Sequence, residues 1–331
     1  MPAQNVTAIA SFAIDTVKSG AYHELPAGTT GTAGPYHTYA TFGLWPQKIK
    51  PSNVTVDENV TETHGSFTYC KGSDGEWYVK TKEAGTLPTG NLYSDGTSVG
   101  KNSENGYKWF KVEPIKWRIL TTNYAGNKLL LAESVLTIGI PYYLDKNRRT
   151  IYDEKIWPNN YMYSTIRAYL NGSYESDDTQ AKNYKGRGFY QTAFTSAERM
   201  IIKTTSVDNS VASTQDANGK LPALVTLDCE PTYDKIFLLS EKEMTTEAYG
   251  FDEDYSASDS AKIRKATDFA IANCRISITN GAGCRWFLRS AHWNGGETGV
   301  RGVTASGISD SYQFGVDSVY EGIVPALCVS N

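Results

Sequence analysis

The stretch YKWFKVEPIKWRILTTNYAGNKLLLAES runs from Tyr107 to Ser134. Ile115, Trp117 and Ile119 alternate with Lys116, Arg118 and Leu120, the period of a half-buried strand. NYAGN (Asn123 to Asn127) turns the chain into KLLLAES, whose unbroken apolar run fits a central strand buried on both faces. The stretch predicts two or three strands.

The surroundings repeat that theme. GSFTYC and EWYVKT flank KGSDG, a strong hairpin signal. GNLYSDGTSVGKNSENG (Gly90 to Gly106) reads as a polar loop. Helices are fewer. YSTIRAYLNG offers Ser164 as N-cap and Gly172 as stop. TSAERMIIKT starts at Thr195 or Ser196. DKIFLLSEKEM reads as a strand followed by a helix capped by Ser240, with Glu243 at the capping-box spacing. DSAKIRKATDFAIANC reads as a further helix. The class is α+β, antiparallel strands with a few flanking helices.

Residues 1–35 read as an appendage. Val6 to Val17 forms a short amphipathic helix ending at Gly20, followed by the linker LPAGTTGTAGP. Residues 36–331 form the main domain.

Composition narrows the function. The chain has 331 residues, 40% of them hydrophobic, enough for a sizeable core. The 32 Lys and Arg against 36 Asp and Glu give a net charge of -4. KNRR (Lys146 to Arg149), the densest basic cluster, reads as a solvated loop, so nucleic acid is not expected as a partner. No apolar run is long enough to span a bilayer. Val6 to Val17 lacks a basic start and contains Asp15, so it does not read as a signal peptide.

Cys70, Cys229, Cys274, Cys284 and Cys328 are widely spread, with no CxxC and no zinc spacing. Buried free thiols are favoured over a disulfide, and an odd count leaves at least one thiol unpaired. Ser290 and His292 share a strand face, but nothing around Ser290 resembles a nucleophile elbow. Asp252, Glu253, Asp254 and Asp259 do not match a calcium loop. No glycine-rich phosphate cradle links a strand to a helix. No catalytic residue, metal or cofactor is expected.

The interval AHWNGGETGVRGVTASGISDSYQFGVDSVYEG (Ala291 to Gly322) has the composition of a recognition loop. Tyr and Trp give contact area for little lost rotamer freedom, and Ser, Gly and Asn adapt their hydrogen bonds. Trp293, Tyr312 and Tyr320 are candidate anchors. His292, Asn294, Glu297, Arg301, Ser309, Asp310, Ser311, Asp317 and Ser318 are candidate polar contacts. VTASGIS predicts a hairpin with Gly307 at its tip and Val303 and Ile308 turned inward. Leu288, Ile323, Val324, Ala326 and Leu327 are expected in the core beneath.

Taken in order, TFGLWPQ (Thr41 to Gln47), EPIKWRIL (Glu113 to Leu120), KLLLAES, STIRAYLNG, AFTSAERMII, DKIFLLSEKEM, RWFLRS and GIVPALCV (Gly322 to Val329) resemble bacterial C-type-lectin-like domains. These are the domains close to the formylglycine-generating-enzyme group. Within them the run most resembles the variable proteins of diversity-generating retroelements, of the treponemal type. The resemblance covers roughly residues 36–331. It implies a C-type lectin fold with a variable ligand-binding region at about 286–331, rewritten by a reverse transcriptase at adenines. Trp293, Glu297 and Glu321 lie outside the reach of adenine substitution in an Asn codon and would stay fixed. The resemblance also implies a protein or cell-surface ligand. It places the chain at the cell surface, with membrane contact only through a lipid anchor on a longer precursor.

Two departures matter. Cys274, Cys284 and Cys328 do not stand in the motif context of the oxidising enzymes, and the calcium-dependent sugar signatures of animal lectins are missing. Two alternatives stay open: an oxidoreductase of the formylglycine-generating type using Cys284 or Cys328, and a structural surface protein with no specific ligand.

Overall fold

A computed structural model describes residues 20–26, 38–84, 90–100, 106–151, 153–173, 183–221, 229–278, 281–292, 298–309 and 314–331. It is mostly β-sheet with few helices, an α+β arrangement in the broad sense.

The first strands are β1 (His23–Glu24), β2 (Tyr39–Ile49), β3 (Val56–His64), β4 (Phe67–Gly72), β5 (Trp77–Lys82), β6 (Tyr107–Tyr124) and β7 (Asn127–Ala132). Strand β6 is a single run of 18 residues, long enough to pair with β5 at its start, β2 along its middle and β7 at its end. With β7 it fills Tyr107 to Ala132, in keeping with the two or three strands expected there. Pro46 and Pro114 survive inside this ladder because the β2–β6 register shifts near them. Gln47 Nε2 donates to the carbonyls of Glu113 and Pro114 at 3.0 and 2.9 Å, satisfying acceptors that the shifted ladder leaves over.

At the β6–β7 turn Ala125 and Gly126 both have positive φ, 50° and 79°, the geometry of a tight two-residue hairpin. Leu129, Leu130 and Leu131 of β7 are fully buried, as the apolar run required. Strand β1 pairs with β2, so His23 and Glu24 of the expected appendage belong to the sheet. The expected helix at Val6 to Val17 lies outside the described residues.

The chain continues through β8 (Ser134–Val135), β9 (Thr137–Ile138), β10 (Arg149–Ile151), β11 (Glu154–Ile156), α1 (Thr165–Asn171), α2 (Phe189–Ala193), α3 (Ser196–Arg199), β12 (Thr205–Val207), β13 (Thr232–Asp234), β14 (Ile236–Phe237) and α4 (Glu241–Met244). Ser164 caps α1, which stops at the left-handed Gly172. Thr195 and Ser240 each form a complete capping box, with Glu198 and Glu243.

Next come β15 (Lys265–Ala266) and α5 (Asp268–Ala272), where one longer helix was expected. The reason is Arg264. Its buried guanidinium donates to the carbonyls of Ala132, Ala261 and Ile263, which holds its segment off a helical path. Strand β15 instead runs parallel to β8, and Thr267 caps the shortened helix.

The last strands are β16 (Trp286–Ala291), β17 (Gly299–Val303), β18 (Phe314–Gly315), β19 (Gly322–Ile323) and β20 (Ala326–Val329). One sheet of nine strands carries the path β14-β20-β7-β6-β5-β4-β3, with β2 on β6 and β1 on β2. A second sheet has the order β18-β17-β16-β19-β9. The chain passes between these two sheets four times, from β7 to β9, β9 to β14, β14 to β16 and β19 to β20. The last crossing is Val324-Pro325, where the Pro325 carbonyl still accepts from Ala132 N–H at 3.0 Å. Leu288, Ile323, Val324, Ala326 and Leu327 all lie in the core, as read from the sequence.

One ion pair ties the two sheets. Arg289 of β16 reaches Glu243 of α4 at 2.5 and 3.0 Å, and Tyr124, at the end of β6, donates to the same carboxylate at 2.6 Å. The other guanidinium hydrogens go to the carbonyls of Leu238 and Asp208. Burial alone raises the Glu243 carboxyl. The Arg289 charge and the hydrogen bonds from Arg289, Tyr124 and Ser240 outweigh it and hold the group below the usual glutamate range. Its stabilising contribution is therefore full above the unfolded value of about 4.3 and fades as pH falls through the lower folded value. Glu243→Ala is expected to cost roughly 3–5 kcal/mol at pH 7, because it strands a buried cation. Urea unfolding of wild type and variant checks this.

Candidate functional site

Strand β16 has six residues, WFLRSA, and every one is buried. Strand β17, GVRGV, is buried throughout its five. Both faces of this sheet are therefore covered. On one side Tyr142 Oη donates to the Arg289 carbonyl at 2.8 Å, Asn159 Nδ2 to the Gly299 carbonyl at 3.0 Å, and Ser290 Oγ to the Ser213 carbonyl at 3.0 Å. Gly302 lies under the Phe314 ring, which occupies the space a Cβ would need.

This covering corrects three expectations of outward display. His292 is buried, and its N–H donates to the Gly299 carbonyl to close the β16–β17 pair. Arg301 sits at 0% exposure in the middle of β17. Ser309 is equally enclosed, its Oγ donating to Glu241 Oε1 at 2.5 Å. The sequence reading assumed that one face of these strands met solvent. Neither face does. Ser290, two residues before His292, spends its hydroxyl on Ser213 and on the Glu241 N–H, both structural partners.

Trp293, Asn294, Glu297, Asp310, Ser311 and Tyr312 lie outside the described residues. The predicted hairpin tip is a turn: Gly307, φ 85°, donates to the Thr304 carbonyl. Its arms share one backbone bond, Thr304 N–H to the Ile308 carbonyl at 2.8 Å, and the longer pairing of β17 is with β18. Val303 is buried, while Ile308 is only half-buried.

Asp317, Ser318 and Tyr320 do reach the surface. They follow β18, on a segment held by two backbone bonds, Val316 N–H to the Thr298 carbonyl and Tyr143 N–H to the Val316 carbonyl. Asp317 is exposed and meets Lys146 Nζ at 3.2 Å. Tyr320 is 42% exposed. Between them Ser318 N–H donates to the Gly315 carbonyl at 3.0 Å, fixing the turn. Glu321, just behind, is buried against Arg285 at 3.3 Å. Burial raises its carboxyl, with Ser318 and Arg285 opposing.

Sequence reasoning missed the other half of this face. Lys146 and Arg148 belong to KNRR, yet Lys146 reaches Asp317, and the Arg148 guanidinium stacks over Trp157, which in turn packs on Ala291. No local signal announces contacts between segments so far apart in sequence.

The acidic loop is self-satisfied: Asp254, Asp252 and Asp259 accept backbone N–H groups from their own neighbourhood. Among the described residues no cluster of His, Cys, Asp and Glu fits a metal ion, and no helix is long and apolar enough to cross a membrane. All five cysteines are buried, and none is in a disulfide. Burial pushes the Cys284 thiol up to about 12 and the Cys328 thiol up to about 11. A nucleophilic cysteine needs the opposite shift.

A family model described as "Domain of unknown function (DUF6273)" matches residues 125–331, and the chain belongs to that family. No curated protein and no solved structure matches the chain. The matched region opens at Ala125, in the turn between β6 and β7, so it takes in the second sheet and three strands of the first, β7, β14 and β20.

The native thiols are expected to react with Ellman's reagent at pH 8 at least about a hundredfold more slowly than in guanidinium, where all five titrate. A fast native thiol would return Cys284 and Cys328 to contention as reactive groups.

Proposed function

We propose that this chain is a non-catalytic binding protein. In this reading it presents the loops joining β16, β17, β18 and β19 to a protein or cell-surface ligand, on a scaffold of C-type lectin type. The observation that carries it is the contrast within one region. Strands β16 and β17 are buried along their whole length, while Asp317 and Tyr320, a few residues on, are exposed. Core burial is worth about 1.5–3 kcal/mol per large side chain, and exposed substitutions usually change stability by within about 0.5 kcal/mol. Such a region tolerates change at its loops without losing its frame.

Tyr320 is the anchor, with Asp317 and Ser318 as polar contacts and Lys146 and Arg148 beside them. Trp293, Asn294, Asp310, Ser311 and Tyr312 complete the contact set. His292, Arg301 and Ser309 support it from within. Retroelement-driven, adenine-directed rewriting of the 3′ end is part of the proposal, confined to the loop positions. So is display at the cell surface through a lipid-anchored precursor. The raised thiols disfavour the oxidoreductase alternative.

The test is genomic. An adjacent reverse transcriptase gene and a near-copy of the 3′ end differing only at adenines are expected. Substitutions among natural copies should fall in 294–296, 310–313 and 317–320, and spare 286–291, 299–303 and 322–329. Changes spread evenly over the buried strands would overturn the reading. Where a ligand is in hand, Asp317→Ala with Tyr320→Ala should weaken binding at least about tenfold with an unchanged melting temperature.

A further inference from the structure

A recess of about 350 Å³ opens where the two sheets and the helices meet. Its aromatic wall is Trp45, Phe67 and Phe269. Trp45 and Phe67 lie 5.0 Å apart, and Phe269 stands edge-on to both, at 6.0 and 5.5 Å. The wall is rigid, because Trp45 Nε1 donates to the Leu136 carbonyl at 2.9 Å and its ring is almost fully covered. Ile138, Ile140 and Val319 extend the apolar lining. Thr137 and Tyr169, whose hydroxyls lie 3.2 Å apart, supply a polar point on the same lining.

Two exposed cations, Arg187 and Arg275, line the recess, and no Asp or Glu does so among the described residues. Arg275 has no carboxylate partner among the described residues. Arg187 Nε and one Nη donate to the Asn183 carbonyl, which fixes the guanidinium without neutralising it. The volume falls in the range of small-molecule sites, which combine apolar walls with a few convergent polar groups.

We propose that this recess binds a small ligand with a flat apolar body and a single anionic group, a carboxylate or sulfonate. The apolar body lies against Trp45, Phe67 and Phe269, and the anion meets Arg187 and Arg275. The recess shares Val319 with the loop face, but the proposal rests on Trp45, Phe67, Phe269 and the two arginines, and either reading can fail without the other.

The full chain is titrated with 8-anilinonaphthalene-1-sulfonate and with uncharged N-phenyl-1-naphthylamine, which has the same apolar body. Saturable 1:1 binding is expected for the sulfonate, about tenfold tighter than for the neutral probe. Arg187→Ala with Arg275→Ala should remove that margin and leave the neutral probe's affinity unchanged. Ala84→Trp, which fills the recess from a half-exposed position, should abolish both, with Val319→Trp as a second plug should the first variant melt early. Equal affinities in wild type, an unchanged margin in the double Arg variant, or binding that survives both plugs would each overturn the proposal.

Discussion

The carboxylate of Glu243 is the point on which the two sheets are hung. It accepts from Arg289 of the second sheet, from Tyr124 of the first, and from the Ser240 N–H at the start of a helix. Every donor is aimed at one buried anion, and the guanidinium opposite it is itself saturated by backbone carbonyls. A buried ion pair is a poor source of net stability, because desolvation takes back most of the attraction. Its strength lies in geometry. A displacement of β16 relative to β6 would strand a charge, so the relative position of the sheets is specified more sharply than apolar contact alone would specify it.

Much of the frame could be read from one dimension. Ser164, Thr195 and Ser240 announce their helices, because a cap is a local event decided by a few neighbouring residues. The β4–β5 hairpin and the β6–β7 turn are equally local. What could not be read depends on distant partners. DSAKIRKATDFAIANC has a helical pattern, but Arg264 finds the Ala132 carbonyl far up the chain, and that contact overrides propensity.

The candidate face was legible only in part, for a related reason. A run of Ser, Arg and His looks like surface when hydrophobic pattern is the guide. Yet Arg301 and Ser309 lie inside, and Ser309 is tolerated there because its hydroxyl is met by Glu241. Polar residues in a recognition-like interval therefore divide into those that face outward and those that build the support. Burial, not composition, separates them. Lys146 and Asp317 show the reverse case, two plain surface charges whose meeting the sequence leaves unannounced.

The DUF6273 match begins in the turn between β6 and β7, and there the hydrogen-bond ladder has a consequence. Strand β7 has β20 along one edge and β6 along the other. A relative carrying the matched region without a counterpart of β6 would bare a row of N–H and carbonyl groups beside Leu129, Leu130 and Leu131, an adhesive border that invites another chain. A member of the family without β6 would have to close that seam another way, and in this chain residues 107–124 do so.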